Sequence, residues 1–324
     1  MSKFPLTIEL VRSSTKSLSS MSDRSSEPLI RFLREHYRDV TLTIVNTASD
    51  LAGIAERHPD LVFLTVKAVP VDSQVESDTP KMVWVADFLD ECRIAYTGSG
   101  SESHKLELEK PLGKQRIRDR GLATADYVVV RQNQPPPDYA HLGFPLFIKP
   151  TNRGGGQGVD AHSVVTSREE AESKIASIVR DHKADALLET YLKGREFSVA
   201  ILRNEHGFDV MPLELTTAAE FAGTIMSAEM KSANTEIVLP VSDPVIRQAV
   251  SELALGAFHA LGARDYGRID IKLSETGVPH FLEANLIPSI IDDYGSFPKA
   301  CLLNKQLRWD EMILRIVQLG LEKK

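Results

Sequence analysis

The chain has 324 residues, room for two domains or three small ones at roughly 150 residues each. With 38 Lys+Arg against 45 Asp+Glu the net charge is −7, and 42% of residues are apolar. That composition excludes a disordered chain and counts against a general nucleic-acid binder, which needs basic stripes. No apolar run approaches the roughly 18 residues of a membrane span, and Met1 to Leu10 lacks the apolar stretch of a signal peptide. Cys92 and Cys301 are the two cysteines, neither a disulfide framework nor a thiolate metal site, which fits a reducing compartment. The expectation is a cytoplasmic, multidomain α/β protein with no membrane or nucleic-acid partner.

In chain order, Phe4 to Val11 reads as a strand, and Ser26 with Pro28 opens a helix to about Tyr37. Val40 to Asn46 is strand-like, Asp50 to Arg57 helical, Asp60 to Val66 an apolar strand, Pro80 to Glu91 helical, and Arg93 to Tyr96 a short strand. Strands alternating with helices imply a parallel sheet with crossover helices. Thr97-Gly-Ser-Gly100 marks a domain edge. Lys105 to Arg120 reads as one charged helix closed by Gly121. Tyr127 to Val130 is a strand, Gln132 to Pro137 a loop, and Pro145 to Pro150 a strand that runs into Thr151-Asn-Arg-Gly-Gly-Gly-Gln-Gly158. Val159 to Val165 is a strand and Ser167 to Arg180 a helix. Ala186 to Leu192 and Glu196 to Leu202 are strands, and Asp243 to Leu261 is an amphipathic helix. Tyr266 to Leu273 and His280 to Asn285 form a hairpin around Ser274 to Gly277, and Trp309 to Leu321 is a closing helix.

Three patterns carry chemistry. The glycine cluster after Lys149 offers backbone amides, unobstructed by side chains, for phosphate oxygens, beside a lysine charge; its other reading is a flexible hairpin tip. It is neither a Walker loop nor a dinucleotide fingerprint. In the late hairpin, period-two alternation puts Arg268 with Asp270, and Glu283 with Asn285, on shared faces. Two carboxylates and an amide are hard oxygen donors suited to Mg²⁺ that also binds nucleotide phosphates. A ladder of cross-strand charge pairs is the alternative; Ile269, Ile271, Phe281 and Leu282 crowd the hairpin and count against it. Leu187-Leu-Glu-Thr-Tyr-Leu192 with Gly194-Arg-Glu196 suits a flat ring with an exocyclic amine and a diol, though by itself it is an ordinary strand pair. The nine histidines are scattered, and neither a zinc motif nor a nucleophile elbow is present.

Taken in order, Phe147-Ile-Lys-Pro150 with its glycine loop, Glu189-Thr-Tyr-Leu192, Gly194-Arg-Glu-Phe197, Ser227-Ala-Glu-Met-Lys231, Tyr266-Gly-Arg-Ile-Asp270 and Leu282-Glu-Ala-Asn285 resemble the ATP-grasp superfamily, and within it the D-alanine–D-alanine ligase group. The resemblance covers Thr97 to about Leu319. It implies an N-terminal Rossmann-like parallel sheet in residues 1–100, then two α+β subdomains, 101–192 and 193–324, that clamp ATP. It further implies that Lys149 and Lys114, with Lys110 as the fallback, hold phosphates, and that Gly155 and Gly156 present amides. Glu189 would accept from the adenine amine, with Thr190, Tyr191, Leu192 and Leu282 around the ring. Glu196 would bind the ribose and Lys231 the γ-phosphate. Asp270, Glu283 and Asn285 would hold two Mg²⁺ ions (Mn²⁺ as the alternative), with Arg268, Lys231 and Ser289 at the reacting centre. A carboxylate would be phosphorylated by ATP and the acyl phosphate captured by an amine, in a homodimeric cytoplasmic ligase. The alternatives are a related ligase with a peptide, protein or hydroxyl acceptor, and a catalytically silent ATP-binding relative.

The departures sit in the amino-acid half. The group's glycine-rich loop with its acid is here Arg12-Ser-Ser-Thr-Lys-Ser-Leu-Ser-Ser20, and its His-Gly loop is Thr65-Val-Lys-Ala-Val-Pro70. Pro288-Ser289 replaces Pro-Gly, and the Ser-Leu pair is replaced near Tyr294-Gly295. Arg12, Lys16 and Arg24 against the single acid Asp23, with Lys67 at the end of the third strand, read either as a positive rim that disfavours a substrate ammonium or as a solvated loop facing away.

Overall fold

The computed structural model describes residues 3–15, 18, 19, 21–72, 81–154, 156–217, 236–292 and 294–323. The N-terminal part opens with β1 (Phe4–Arg12), α1 (Asp23–His36), β2 (Tyr37–Ile44), α2 (Ala52–Arg57) and β3 (Leu61–Leu64). These strands form a parallel sheet in the order β2-β1-β3, the arrangement that alternating strand and helix patterns impose. Alternation along β1 sends Ile8 and Leu10 into one core and Val11 into another. Helix α1 starts one turn before the expected Ser26, because Ser22 and Ser25 cap each other's backbone amides, and Pro28 lies inside it.

A small antiparallel pair follows, β4 (Ala68–Pro70) with β5 (Met82–Trp84), then α3 (Val85–Glu91). The expected helix over Pro80 to Glu91 is thus a strand first. Val83 and Trp84 favour strand geometry and pair with Val69 and Ala68. Of the expected strand Arg93 to Tyr96, only Tyr96 bridges, to Val62.

The expected single helix over Lys105 to Arg120 is two, α4 (Ser101–Leu108) and α5 (Lys110–Asp119). Pro111 has no N–H to give Glu107, and its ring would clash with that carbonyl, so the chain leaves the helical region at Glu109 (φ −86°, ψ 80°). The two helices then touch at Gly113, where a Cβ would lie 2.5 Å from the Leu106 carbonyl oxygen.

The central sheet combines β6 (Tyr127–Val130), β7 (Leu146–Pro150), β8 (Val164–Val165) and β9 (Ala186–Thr190) in the order β6-β9-β7-β8. It is backed by α6 (Arg168–His182), which Ser167 caps. Strand β8 is shorter than expected because the chain up to Ser163 turns on itself, Asp160 O accepting from Ser163 N. The C-terminal sheet is antiparallel, in the order β12-β11-β10-β13-β14, from β10 (Glu196–Asn204), β11 (Gly207–Thr217), β12 (Glu236–Pro240), β13 (Tyr266–Leu273) and β14 (Pro279–Asn285). One face, with Phe197, Val199, Ile201, Ile269 and Ile271, packs on α7 (Pro244–Ala260) through Phe258, Ala257 and Val250. The other face carries Ala200, Leu202, Met211 and Tyr266 against α8 (Ser296–Lys305) and α9 (Trp309–Leu321). Those two helices share a core with Ile8, Leu10, Leu33 and Phe63 of the N-terminal sheet. The C-terminal sheet is thereby fixed against the N-terminal part by buried apolar side chains, the main stabilising contribution at such a seam.

Candidate active site

The hairpin β13–β14 sets the first group of side chains. Its register opposes Arg268 to Asn285 and Asp270 to Glu283. On the other side, β10 opposes Ser198 to Asp270 and Glu196 to Lys272. Glu196, Ser198, Arg268, Asp270, Glu283 and Asn285 therefore lie on one sheet face. The register slips after Asp270, so that Phe281 pairs with Ile271 and Leu282 is the extra residue. Such a bulge re-aims side chains beside a site. Here it turns Phe281 into the core while Leu282 and Glu283 stay half-buried.

Asp270 is the hub of this face. Arg268 Nε donates to its Oδ1 at 2.9 Å and Arg268 Nη2 to its Oδ2 at 2.8 Å. Ser198 Oγ donates to Oδ1 at 3.0 Å, and Asn285 Nδ2 to Oδ2 at 3.2 Å. Ser296, in the first turn of α8, lies 2.9 Å from Ser198 Oγ. Glu196 accepts from Lys272 Nζ at 3.0 Å.

The second group belongs to the central sheet and the helix before it. Glu189 on β9 is buried, with Lys114 Nζ 2.5 Å from its Oε1 and Lys149 Nζ 2.8 Å from its Oε2. Burial works against the Lys149 charge, but Glu189 and then Glu283 outweigh it and raise its pKa above the ordinary value. Burial lowers the pKa of Lys110, against the pull of Glu283. Glu283 of the hairpin and the lysines of the central part thus act on one another across the gap between the two sheets. Lys110 Nζ also donates to the Arg153 carbonyl in the glycine loop. That loop is held at its far end by Lys174 on Asp160, at 2.8 Å. Gly158 is left-handed (φ +77°), and a Cβ there would sit 2.5 Å from Pro150 Cγ, so both conformation and space demand glycine.

The third group joins the N-terminal part to the rest. Lys67, just after β3, is 2.5 Å from Glu107 Oε1. Glu107 also meets His104 Nδ1 at 3.1 Å and accepts from the Leu286 amide at 3.0 Å. Burial opposes ionisation of Glu107, yet Lys67 and His104 outweigh it and hold the carboxyl down at about 2. Burial holds His104 below the ordinary histidine range, hence neutral.

Of the expected residues, Glu196, Arg268, Asp270, Glu283 and Asn285 share one sheet face, and Glu283 and Glu196 act on Lys149, which pairs with Glu189. Lys114 has no exposed surface. Thr190, Tyr191 and Leu192 follow Glu189 at the end of β9, with the Thr190 and Tyr191 amides donated to Asp126 and Pro145 carbonyls. Ser289 lines a crevice with Thr65, Tyr266 and Ile290, its Oγ buried beside Gly295. Gly156 is left-handed at φ +77°. Gly155 and Lys231 fall outside the described residues. Sequence reasoning missed Ser198, which two-residue spacing from Glu196 signals. It also missed Thr124 and Glu107, which bond to the Phe281 carbonyl and the Leu286 amide 157 and 179 residues away.

Residues 117–318 match the family model described as D-ala D-ala ligase C-terminus. The D-alanine–D-alanine ligase of Hydrogenovibrio crunogenus is 26% identical over 305 residues, 93% of this chain and 90% of that one. The D-alanine–D-alanine ligase of Nitrosococcus oceani is 32% identical over 239 residues, 73% of this chain and 72% of that one. The ATP complex of the Bacillus anthracis D-alanine–D-alanine ligase superposes with a TM-score of 0.77 at 20% identity, covering 98% of both chains. The fold is ATP-grasp.

Proposed function

The chain belongs to the D-alanine–D-alanine ligase family, ATP-dependent enzymes that form a carbon–nitrogen bond with release of ADP, and we propose that it works through an acyl phosphate held between its two ATP-grasp sheets. We take residues 1–100, 101–192 and 193–324 as the three working units. The observation that carries the reading is the opposition of Glu283 to Lys149 and Lys110 across the gap. Positive groups on one wall and carboxylates on the other suit a polyphosphate bridged by a divalent cation.

In this reading Lys149 and Lys110 hold phosphate oxygens, and Gly156 with the rest of the glycine loop lies over them. Lys110 replaces Lys114 in that role because it reaches the loop and the gap, whereas Lys114 is enclosed. Both Glu189 oxygens are committed to lysines, so its part is to orient Lys149. The adenine ring then lies against Thr190, Tyr191, Leu192 and Leu282, with the ribose at Glu196.

Asp270, Glu283 and Asn285 fit Mg²⁺. Mg²⁺ is typically held by one or two carboxylates together with substrate phosphates, and Asp270 and Glu283 are two carboxylates opposed across the hairpin, with Asn285 beside them. When bound, Mg²⁺ neutralises charge on the transferring phosphoryl group. Arg268, oriented by Asp270 through Nε and Nη2, brings its guanidinium charge to the oxyanion that forms when the amine attacks the acyl phosphate. Closure of the two sheets excludes water that would hydrolyse that intermediate. The small-molecule acid enters from the N-terminal part, at the carboxyl ends of β1 and β3, where open parallel sheets place ligands.

The test is a screen of pooled carboxylates with ATP, Mg²⁺ and hydroxylamine. Hydroxamate and ADP are expected from at least one pool. Nucleotide binding without hydroxamate or ADP from any pool supports the silent relative instead.

A further inference from the structure

We propose that Lys114 is a buried tie between the two sheets of the nucleotide clamp, a positioning residue that acts through Glu189 on one side and through Thr124 and Phe281 on the other. Its Nζ lies 2.5 Å from Glu189 Oε1 on β9 and donates to Thr124 Oγ1 at 2.7 Å. Thr124 Oγ1 donates in turn to the Phe281 carbonyl on β14 at 2.8 Å. The proton count closes: the hydroxyl has one proton to give, it goes to the carbonyl, and the ammonium supplies the other bond. Thr124 also bridges Phe281 in strand fashion, and the Phe281 amide donates to Ala123 O at 2.9 Å. Phe281 is two residues before Glu283. One short chain, an ion pair followed by two hydrogen bonds, therefore runs from the carboxylate that orients Lys149 to the strand that carries Glu283.

Lys114 is fully enclosed and Thr124 is 8% exposed. A phosphate reaching Lys114 would have to break both of its contacts, and a buried carboxylate stripped of one cation is costly. Within a dry interior ion pairs and hydrogen bonds are stronger than in water. The tie thus fixes the distance between the two walls of the gap. The other reading of so buried a lysine is fold stability alone, which would leave the turnover of the folded enzyme unchanged.

The inference rests on the proposed nucleotide site, and the experiment separates the two. Turnover in the hydroxamate assay and titration with a non-hydrolysable ATP analogue are compared for Thr124→Val, Lys114→Met, the double variant and Lys149→Met, all in the full chain. Thr124→Val removes one hydroxyl and keeps every charge. Its kcat is expected to fall about tenfold, with analogue Kd changed less than about fivefold. Lys114→Met is expected to lose at least as much kcat with the same small change in Kd. The double variant should be no worse than Lys114→Met, since both remove one chain. A Kd weakened more than about fivefold in Lys114→Met, or wild-type kcat in Thr124→Val, overturns the tie. Should Lys114→Met fail to fold, Thr124→Val decides alone. Unchanged analogue binding in Lys149→Met counts against the nucleotide site itself.

Discussion

Arg268 grips Asp270, two residues further along the same strand, through both prongs of its guanidinium, at 2.9 and 2.8 Å. A planar fork on a planar carboxylate fixes orientation as well as charge, and Ser198 and Asn285 hold that carboxylate from either side. The arginine at the proposed oxyanion position is thereby pre-set. Arg268→Lys keeps the charge and loses the fork. Turnover should fall about a hundredfold to a thousandfold, the range for one lost transition-state donor, while analogue titration shows a nearly unchanged Kd. Wild-type turnover in Arg268→Lys removes it from the reacting centre.

Glu283 faces Asp270 across the hairpin and Lys149 across the gap. Glu283→Gln keeps the shape and removes the charge. Turnover is expected to drop at least about a hundredfold, with ATP affinity falling less. Titrating Mg²⁺ in the variant should show a raised metal requirement. An active Glu283→Gln enzyme with unaltered Mg²⁺ dependence contradicts the metal assignment.

The placement of these side chains shows where sequence was sufficient. Arg268, Asp270, Glu283 and Asn285 were legible because a two-residue period fixes which side chains share a face, and the hairpin from Tyr266 to Asn285 forms as expected. Lys149 was legible because a strand delivers it to a glycine loop. Lys110 and Lys114 were not separable, since four residues on a helix share a face and only tertiary burial distinguishes them. The break at Pro111 was written in the sequence but outweighed by the charged pattern around it. Thr124 and Glu107 carry no local signal, because the bonds that define them cross from one part of the fold to another.

Glu107 ties stability to pH. Its carboxyl is held at about 2, below the unfolded value near 4.5, so its contribution is fully present above pH 4.5 and is lost as pH falls towards 2. A shift of that size corresponds to about 3 kcal/mol at neutral pH. Glu107→Gln should therefore destabilise the protein at pH 7. The gap between variant and wild type should narrow as the pH is lowered from 4.5 to 2.5. Urea unfolding at four pH values in that span measures it. A gap that stays constant across them rules out the Lys67–Glu107 linkage.

The donor acid should lack an α-ammonium. The carboxyl ends of β1 and β3 bring Arg12 and Lys67, and the carboxylate beside Lys67, Glu107, already serves Lys67, His104 and the Leu286 amide. An ammonium placed there meets cations and a committed acid. Hydroxamate formation should be faster with keto acids, hydroxy acids or dicarboxylates than with D- or L-alanine. Lys67→Met should raise the KM for the acid and leave that for ATP unchanged. Faster reaction with alanine than with every amine-free acid refutes this reading.

The central claim is transfer of the γ-phosphoryl group to a carboxylate, and the fate of the carboxylate oxygen tests it most directly. The enzyme is incubated with ATP, Mg²⁺, an amine pool and carboxylates labelled with heavy oxygen, and the phosphorus products are analysed by mass spectrometry. An acyl phosphate predicts ADP together with phosphate that carries one labelled oxygen from the acid. AMP with pyrophosphate, or ADP with wholly unlabelled phosphate, contradicts it.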